Sequence, residues 1–262
     1  MINNFKVNWL MNKIAEGNMQ DCLDIVFQPY IDIIDSRCVG AEILIRGIYE
    51  HEIISPDEFI NLSEVNGSIL NIDLFAFRCG LQFIRDNQLF QKEHLQFSFN
   101  FSPYTFNLPH FASLLCAETS RDIASGIILE ITESNIPLNG HAIRNAIRLR
   151  DHGFLIAWDD VDSLNCAFRT LQYFKFDFAK LDKSLLANNK KSLIKNIINV
   201  YRDFNTEIIV EGVEDSEQLS MLREMKVRYA QGFLFSPPVS KDEFIENIFN
   251  KIFITQTAIE EM

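Results

Sequence analysis

Gly40-Ala41-Glu42-Ile43-Leu44-Ile45-Arg46 is the stretch from which the fold of this chain can be read. It follows Phe27-Gln28-Pro29-Tyr30 after a turn-length gap and reads as the second strand of the domain. Its apolar residues suit a strand buried in a barrel or an α/β core. Glu42 and Arg46 do not, because a charge buried without a partner is costly. Something elsewhere in the chain must answer them.

Working outward, short apolar strand candidates lie near Leu23–Phe27, Val39–Ile45, Gln96–Phe101, Gly126–Thr132, Phe154–Asp159, Phe178–Leu181, Glu207–Glu211 and Tyr229–Phe233. Helical patterns separate most of them. One opens at Ser55-Pro56-Asp57-Glu58, a capping box with proline at the first helical position. Others cover about Asn71–Asp86, His141–Asp151, Leu164–Phe174, Ser184–Phe204 and Ser216–Met225, and a last one opens at Ser240-Lys241-Asp242-Glu243. Strands alternating with helices over this length predict a TIM-type (β/α)8 barrel, with a doubly wound open sheet as the alternative. No GxGxxG or GxxxxGK[ST] follows a strand, which removes the usual nucleotide fingerprints. The expected organisation is an amphipathic N-terminal helix over residues 1–20, one barrel domain over 21–254 and a tail over 255–262.

Composition narrows the function. The formal net charge of −12 argues against a nucleic-acid polymer or an anionic membrane surface as partner. It leaves room for a small phosphate ligand if metal ions supply positive charge. The 23 phenylalanines predict a thick aromatic core. Cys22, Cys38, Cys79, Cys116 and Cys166 are scattered and contain no CxxC, which predicts reduced thiols in a cytoplasmic protein. The histidines show no metal-ligand spacing. No signal peptide or run of about 18 apolar residues is present, so a soluble protein without membrane insertion is expected.

The polar residues near the strand ends carry the chemistry. They are Asn100, Glu130, Asp159, Asp160, Lys180, Asp182, Glu211 and Gln231. In a barrel such residues converge on one mouth. Glu42, Asn100, Glu130, Asp159 and Asp160 offer hard oxygen donors, which suit Mg²⁺ or Mn²⁺ rather than zinc. Two adjacent aspartates can serve one ion or two. Lys180 could hold an attacking water or steady phosphoryl charge, and Glu211 is a candidate general base. Arg46 could pair with a phosphate. Gln28 and Gln231 could hydrogen-bond a base or a metal-bound water.

With these residues placed, the chain resembles an EAL domain, a family of cyclic di-GMP phosphodiesterases. The resemblance covers about residues 22–240. It rests on Phe27-Gln28-Pro29, Gly40–Arg46, Asn100-Phe101-Ser102-Pro103, Glu130-Ile131-Thr132-Glu133-Ser134, Asp159-Asp160, Lys180-Leu181-Asp182, Glu211-Gly212-Val213-Glu214 and Gln231-Gly232-Phe233-Leu234-Phe235. It implies a modified (β/α)8 barrel whose first strand is antiparallel, and hydrolysis of cyclic di-GMP to linear pGpG with Mg²⁺ or Mn²⁺, in one or two ions per site. By family pattern Glu42, Asn100, Glu130, Asp159 and Asp160 match metal ligands. Lys180 and Glu211 match residues that position or activate the water, with the base not settled between them. Gln28, Leu44, Arg46, Gln231 and Phe233 match substrate-side positions, and Glu133 a loop anchor. A homodimer is the family expectation.

Two departures stand out. The naming motif reads Glu42-Ile43-Leu44, with isoleucine in place of alanine. After Asp159-Asp160 the family usually continues Phe-Gly-Thr-Gly-Tyr-Ser-Ser, whereas this chain reads Val161-Asp162-Ser163-Leu164-Asn165-Cys166-Ala167. Both glycines are gone, so the loop must take another path. Asp162 reads as a helix N-cap, with a compensating acid near the metals as the alternative. The leading function is the phosphodiesterase. The alternative is an impaired member that binds cyclic di-GMP or a protein partner as a regulator.

Overall fold

The computed structural model describes residues 2–91, 95–131, 138–164, 175–187 and 191–250. Strand β1 (Leu23–Asp32) folds back antiparallel on β2 (Arg37–Tyr49), and β3 (Glu52–Ile54) forms a hairpin on the end of β2. The remaining strands are β4 (Gln96–Phe101), β5 (Ile127–Ile131), β6 (Leu155–Val161), β7 (Phe178–Leu181), β8 (Glu207–Val210) and β9 (Tyr229–Ala230). From β2 through β4 to β9 every neighbouring pair is parallel. Strand β9 then meets β1, again antiparallel, and closes an eight-stranded barrel with β3 outside it. The expected barrel with an antiparallel first strand is what forms, and the open-sheet alternative falls away. The eighth strand is shorter than expected, ending at Ala230, so Gln231 and Phe233 lie beyond it.

The helices are α1 (Ile2–Ala15), α2 (Pro56–Asn66), α3 (Ile69–Asp86), α4 (Pro103–Phe106), α5 (Phe111–Glu118), α6 (Arg121–Ala124), α7 (Gly140–His152), α8 (Ser184–Ala187), α9 (Lys191–Asp203), α10 (Ser216–Glu224) and α11 (Lys241–Asn250). The capping box at Ser55 opens α2 as its sequence predicts, with proline in the first turn. A second box, Asp215 with Gln218, opens α10. Among the described residues no helix is long and apolar enough to cross a membrane. The helix expected over Leu164–Phe174 lies, beyond Leu164, outside the described residues, as do Glu133, Cys166 and the tail.

Side chains alternate between the two faces of each strand, and the barrel uses both faces. The outward set includes Ile127, Leu129, Ile131, Ile156, Trp158, Leu181, Ile208 and Val210, which joins the main core under the helices. Phenylalanines fill much of that layer: Phe27, Phe77, Phe97, Phe99, Phe101, Phe106, Phe111 and Phe154 are almost wholly buried. The inward set begins with a small separate cluster of Tyr30, Val39, Ile128, Ala157, Phe178 and Ile209, which floors the barrel. The residues two positions further on, Glu130, Asp159, Lys180 and Glu211, then form the next inward layer, toward the carboxyl ends of the parallel strands.

Helix α1 packs through Val7, Leu10 and Ile14 on Leu23, Ile54, Phe59 and Ile72, a satellite core beside α2. Phe5, expected on the same apolar face, stays exposed edge-on to Tyr49. At the head of the opening stretch, Gly40 has φ +152°, and a Cβ there would lie 1.7 Å from the Gln96 carbonyl oxygen. Glycine at that point is what lets β2 lie against the start of β4.

Candidate active site

Lys180 sits at the centre of the inward polar layer. Its Nζ lies 2.7 Å from Glu211 Oε1, 2.8 Å from Glu130 Oε2, 3.0 Å from Glu42 Oε2 and 3.2 Å from Asp159 Oδ1. The side chain is completely buried. Three strands and the loop that follows a fourth thus deliver four acids around one cation. Asn100 Nδ2 donates to the other oxygen of Glu42 at 2.6 Å. Gln231 Nε2 donates to Glu42 Oε2 at 2.9 Å and to Gln28 Oε1 at 2.8 Å. Glu42, the unexplained charge of the opening stretch, is therefore answered by Lys180, Asn100 and Gln231.

Asp159 and Asp160 are neighbours in a strand and should face opposite sides. A bulge between Trp158 and Val161 breaks the β6–β7 register, and Asp160 takes φ +57°. Aspartate tolerates that left-handed conformation better than most residues. The consequence is that Asp159, Asp160 and Glu211 each bring a carboxylate oxygen within 4.8 Å of the others. Asp159 Oδ1 is buried, and Lys180 Nζ at 3.2 Å is its neighbour. Three carboxylates gathered this closely, an all-oxygen donor set, fit a hard divalent cation.

The electrostatics agree with that fit. Burial would raise Glu42, but the charge of Lys180 and hydrogen bonds from Gln231 and Asn100 hold its carboxyl below the usual value. Burial, then the Glu42 charge, pushes Glu130 up to about 8. Asp160, at the rim, is pushed up to about 6 by burial and by Asp159. Asp159 and Glu211 are raised as well, chiefly by burial. Burial would lower Lys180, yet the surrounding carboxylates hold its ammonium well above the ordinary lysine range. Five acids share one lysine, and the excess negative charge is what a divalent ion would offset.

Two openings meet at this layer. The larger, about 630 Å³, runs from Glu42, Asn100, Asp159, Asp160 and Glu211 out between α2, α3 and the start of α4, past Leu44. The smaller, about 320 Å³, is lined by Gln28, Gln231 and Phe233 together with Glu42, Asp160 and Glu211. Phe233 is 66% exposed, an aromatic face open to a ligand. Gln231 Oε1 is buried with no partner among the described residues. Arg46 lines neither opening, and its Nη1 donates to the Ile45 carbonyl at 2.8 Å. The structure thus brings Glu42, Asn100, Glu130, Asp159, Asp160, Lys180, Glu211, Gln28, Leu44, Gln231 and Phe233 to one mouth and leaves Arg46 beside it.

In the altered loop, Val161 is fully buried and pairs with Leu181, and its carbonyl accepts from Asp182 N at 3.1 Å. Asp162 is exposed and is not one of the three acids gathered there. Neither Asp162 nor Leu164, which stand where the family has glycine, adopts a positive φ. The loop needs no glycine along the path it takes here, as far as Leu164. Two groups escaped the sequence reading. Tyr30 and Ser98 lie beneath Glu130, and the only signal was that Tyr30 stands two residues beyond Gln28, on the same inward face. Asp73, inside the apolar pattern of α3, is buried in the wall of the larger opening.

Comparison with known proteins adds the following. A family model described as EAL domain matches residues 11–238. The cyclic di-GMP phosphodiesterase PdeL of Escherichia coli strain K12 is 29% identical, over 84% of this chain and 64% of its own length. The cyclic di-GMP phosphodiesterase NbdA of Pseudomonas aeruginosa is 27% identical, over 87% of this chain and 30% of its own. The solved structure of the EAL enzyme Bd1971 with cAMP and cyclic di-GMP bound superposes with a TM-score of 0.83 at 23% identity, over 95% of this chain and 70% of that one, a likeness of fold. The chain spans between about a third and two-thirds of the length of the first curated relatives it matches.

Proposed function

This chain belongs to the EAL domain family, and we propose that it hydrolyses cyclic di-GMP to linear pGpG with Mg²⁺ or Mn²⁺. The observation that carries the reading is the single lysine among four carboxylates, with Asp159, Asp160 and Glu211 gathered at the mouth where two openings meet. Glu42, Asn100, Glu130, Asp159 and Asp160 would hold the metal, joined by Glu211, whose oxygen falls within the same cluster. A bound divalent ion supplies Lewis acidity, offsetting phosphate charge and lowering the pKa of water.

The protein's own groups do the rest. A cyclic dinucleotide has two bases and two phosphates, and the two openings give each half a place. Phe233 offers one base a stacking face, Leu44 an apolar contact, and the free Oε1 of Gln231 an acceptor. Arg46 can swing from the Ile45 carbonyl to a phosphate. The water lies against Lys180 and Glu211. Its oxygen attacks phosphorus, the P–O3′ bond breaks, and the released O3′ takes a proton. Glu211, its carboxyl raised by burial, is suited to accept the water's proton, and Lys180 steadies charge on the phosphoryl oxygens. The same reading makes the protein a cytoplasmic homodimer, in keeping with its free cysteines.

The test is direct. Purified protein incubated with cyclic di-GMP and Mg²⁺ or Mn²⁺ should yield pGpG, and chelation should stop it. Tight binding of the dinucleotide without product would instead support the regulatory reading, to which the changed residues after Asp160 point.

A further inference from the structure

Below the mouth, the next inward residues on β5 to β8 are apolar, with Ile128 underlying Glu130. Ala157 underlies Asp159, Phe178 underlies Lys180, and Ile209 underlies Glu211. Glu130 also meets a polar group from below, because Tyr30 reaches in from β1. Its hydroxyl donates to Glu130 Oε1 at 2.8 Å. The same hydroxyl meets Ser98 Oγ on β4. Tyr30 and Ser98 are both buried.

The direction of this chain follows from the number of protons. When Glu130 is ionised to hold a cation its carboxylate only accepts, so the one phenolic proton goes to Glu130 and the Ser98 hydroxyl donates to the Tyr30 oxygen. The relay therefore runs Ser98 to Tyr30 to Glu130. It assigns the two oxygens of Glu130 opposite tasks. Oε1 is tied to the floor of the barrel, while Oε2 lies 2.8 Å from Lys180 Nζ at the centre of the acid layer. Without the phenol, Glu130 loses its tie to the floor, and one buried oxygen is left short of a donor. With Ser98 donating to the phenol oxygen, the phenolic proton is left for an acceptor, and Glu130 Oε1 takes it. The second bond, to a carboxylate a hundred residues away, serves the carboxylate.

We propose that Tyr30, backed by Ser98, is a positioning residue that fixes Glu130 as an oxygen donor toward the divalent cation. The inference rests on the reading that Glu130 helps to hold that ion. Outer partners of this kind are worth about 10–100-fold in metal affinity.

The experiment is Mn²⁺ binding to the chelator-treated full chain, followed by electron paramagnetic resonance without nucleotide, for wild type, Tyr30→Phe, Ser98→Ala and Glu130→Gln. Tyr30→Phe should weaken Mn²⁺ binding by about 10-fold. Ser98→Ala should weaken it by a smaller factor, and thermal melting of each variant reports whether it is folded. Wild-type affinity in folded Tyr30→Phe, alongside weakened Glu130→Gln, overturns the inference and leaves the metal reading standing. No saturable Mn²⁺ signal in the wild type overturns the metal reading, and the inference with it. If Tyr30→Phe does not fold, Ser98→Ala decides: weaker binding supports the relay and unchanged binding overturns it.

Discussion

Two buried acid clusters line the same large opening and are answered in opposite ways. Around Lys180, several carboxylates face a cation and each other. Some 30 residues of sequence separate Asp73 from its partners: it accepts from Thr105 Oγ1 at 2.6 Å and from Ser102 N at 3.1 Å, and no cation pairs with it among the described residues. Ser102 Oγ in turn donates to Glu64 at 2.6 Å. The first cluster concentrates charge that the protein alone does not neutralise. The second distributes hydrogen bonds that tie α3 to the start of α4, just past Asn100. Crowded acids around a lysine are arranged for an incoming ion, whereas an acid held by hydroxyl and amide is a clamp.

The largest effect should come from removing the lysine. Lys180→Met leaves the acids uncompensated, and urea unfolding of the metal-free protein should show a loss of about 3–5 kcal/mol. Turnover of cyclic di-GMP should fall by about 10²–10⁴-fold. A variant as stable as wild type would erase the distinction between the clusters.

Next comes Glu211→Gln. Its folded carboxyl titrates above the ordinary value, so above the unfolded pKa its ionised form costs stability. The neutral variant should therefore melt higher than wild type in metal-free buffer at pH 8, while losing turnover by about 10²-fold or more. A higher melting temperature with lost activity marks an acid kept for chemistry.

The smallest change belongs to the clamp. Burial pushes Asp73 up to about 7. Its contribution to stability is present below the unfolded carboxyl pKa and is lost as pH rises through about 7, with a slope of up to about 1.4 kcal/mol per pH unit. Asp73→Asn should flatten that part of the stability–pH curve relative to wild type. It should leave turnover within about 10-fold, as expected of a residue outside the chemistry.

The Lys180 cluster was legible in the sequence because its logic is local. Strands alternate with period two; Glu130, Asp159, Lys180 and Glu211 each stand near the end of an apolar run, and Glu42 interrupts one. What the sequence could not show is how two adjacent aspartates reach the same face, since that needs the bulge and the left-handed Asp160. Tyr30 reads as one more core aromatic until its hydroxyl is seen against Ser98 and Glu130, partners far along the chain. Asp73 hides for the same reason inside an apolar helix. The glycines lost after Asp160 predict another path for the loop, and along it Val161 continues β6 while residues 161–164 take no positive φ.

The most direct test of the central claim is turnover in heavy-oxygen water with Mn²⁺ or Mg²⁺, with the product weighed by mass spectrometry. Attack by a water held at the Lys180 cluster predicts pGpG carrying one heavy oxygen on its 5′-phosphate, absent from the chelated control and from Glu42→Ala. Bound but intact cyclic di-GMP, or pGpG formed equally by Glu42→Ala, would contradict it.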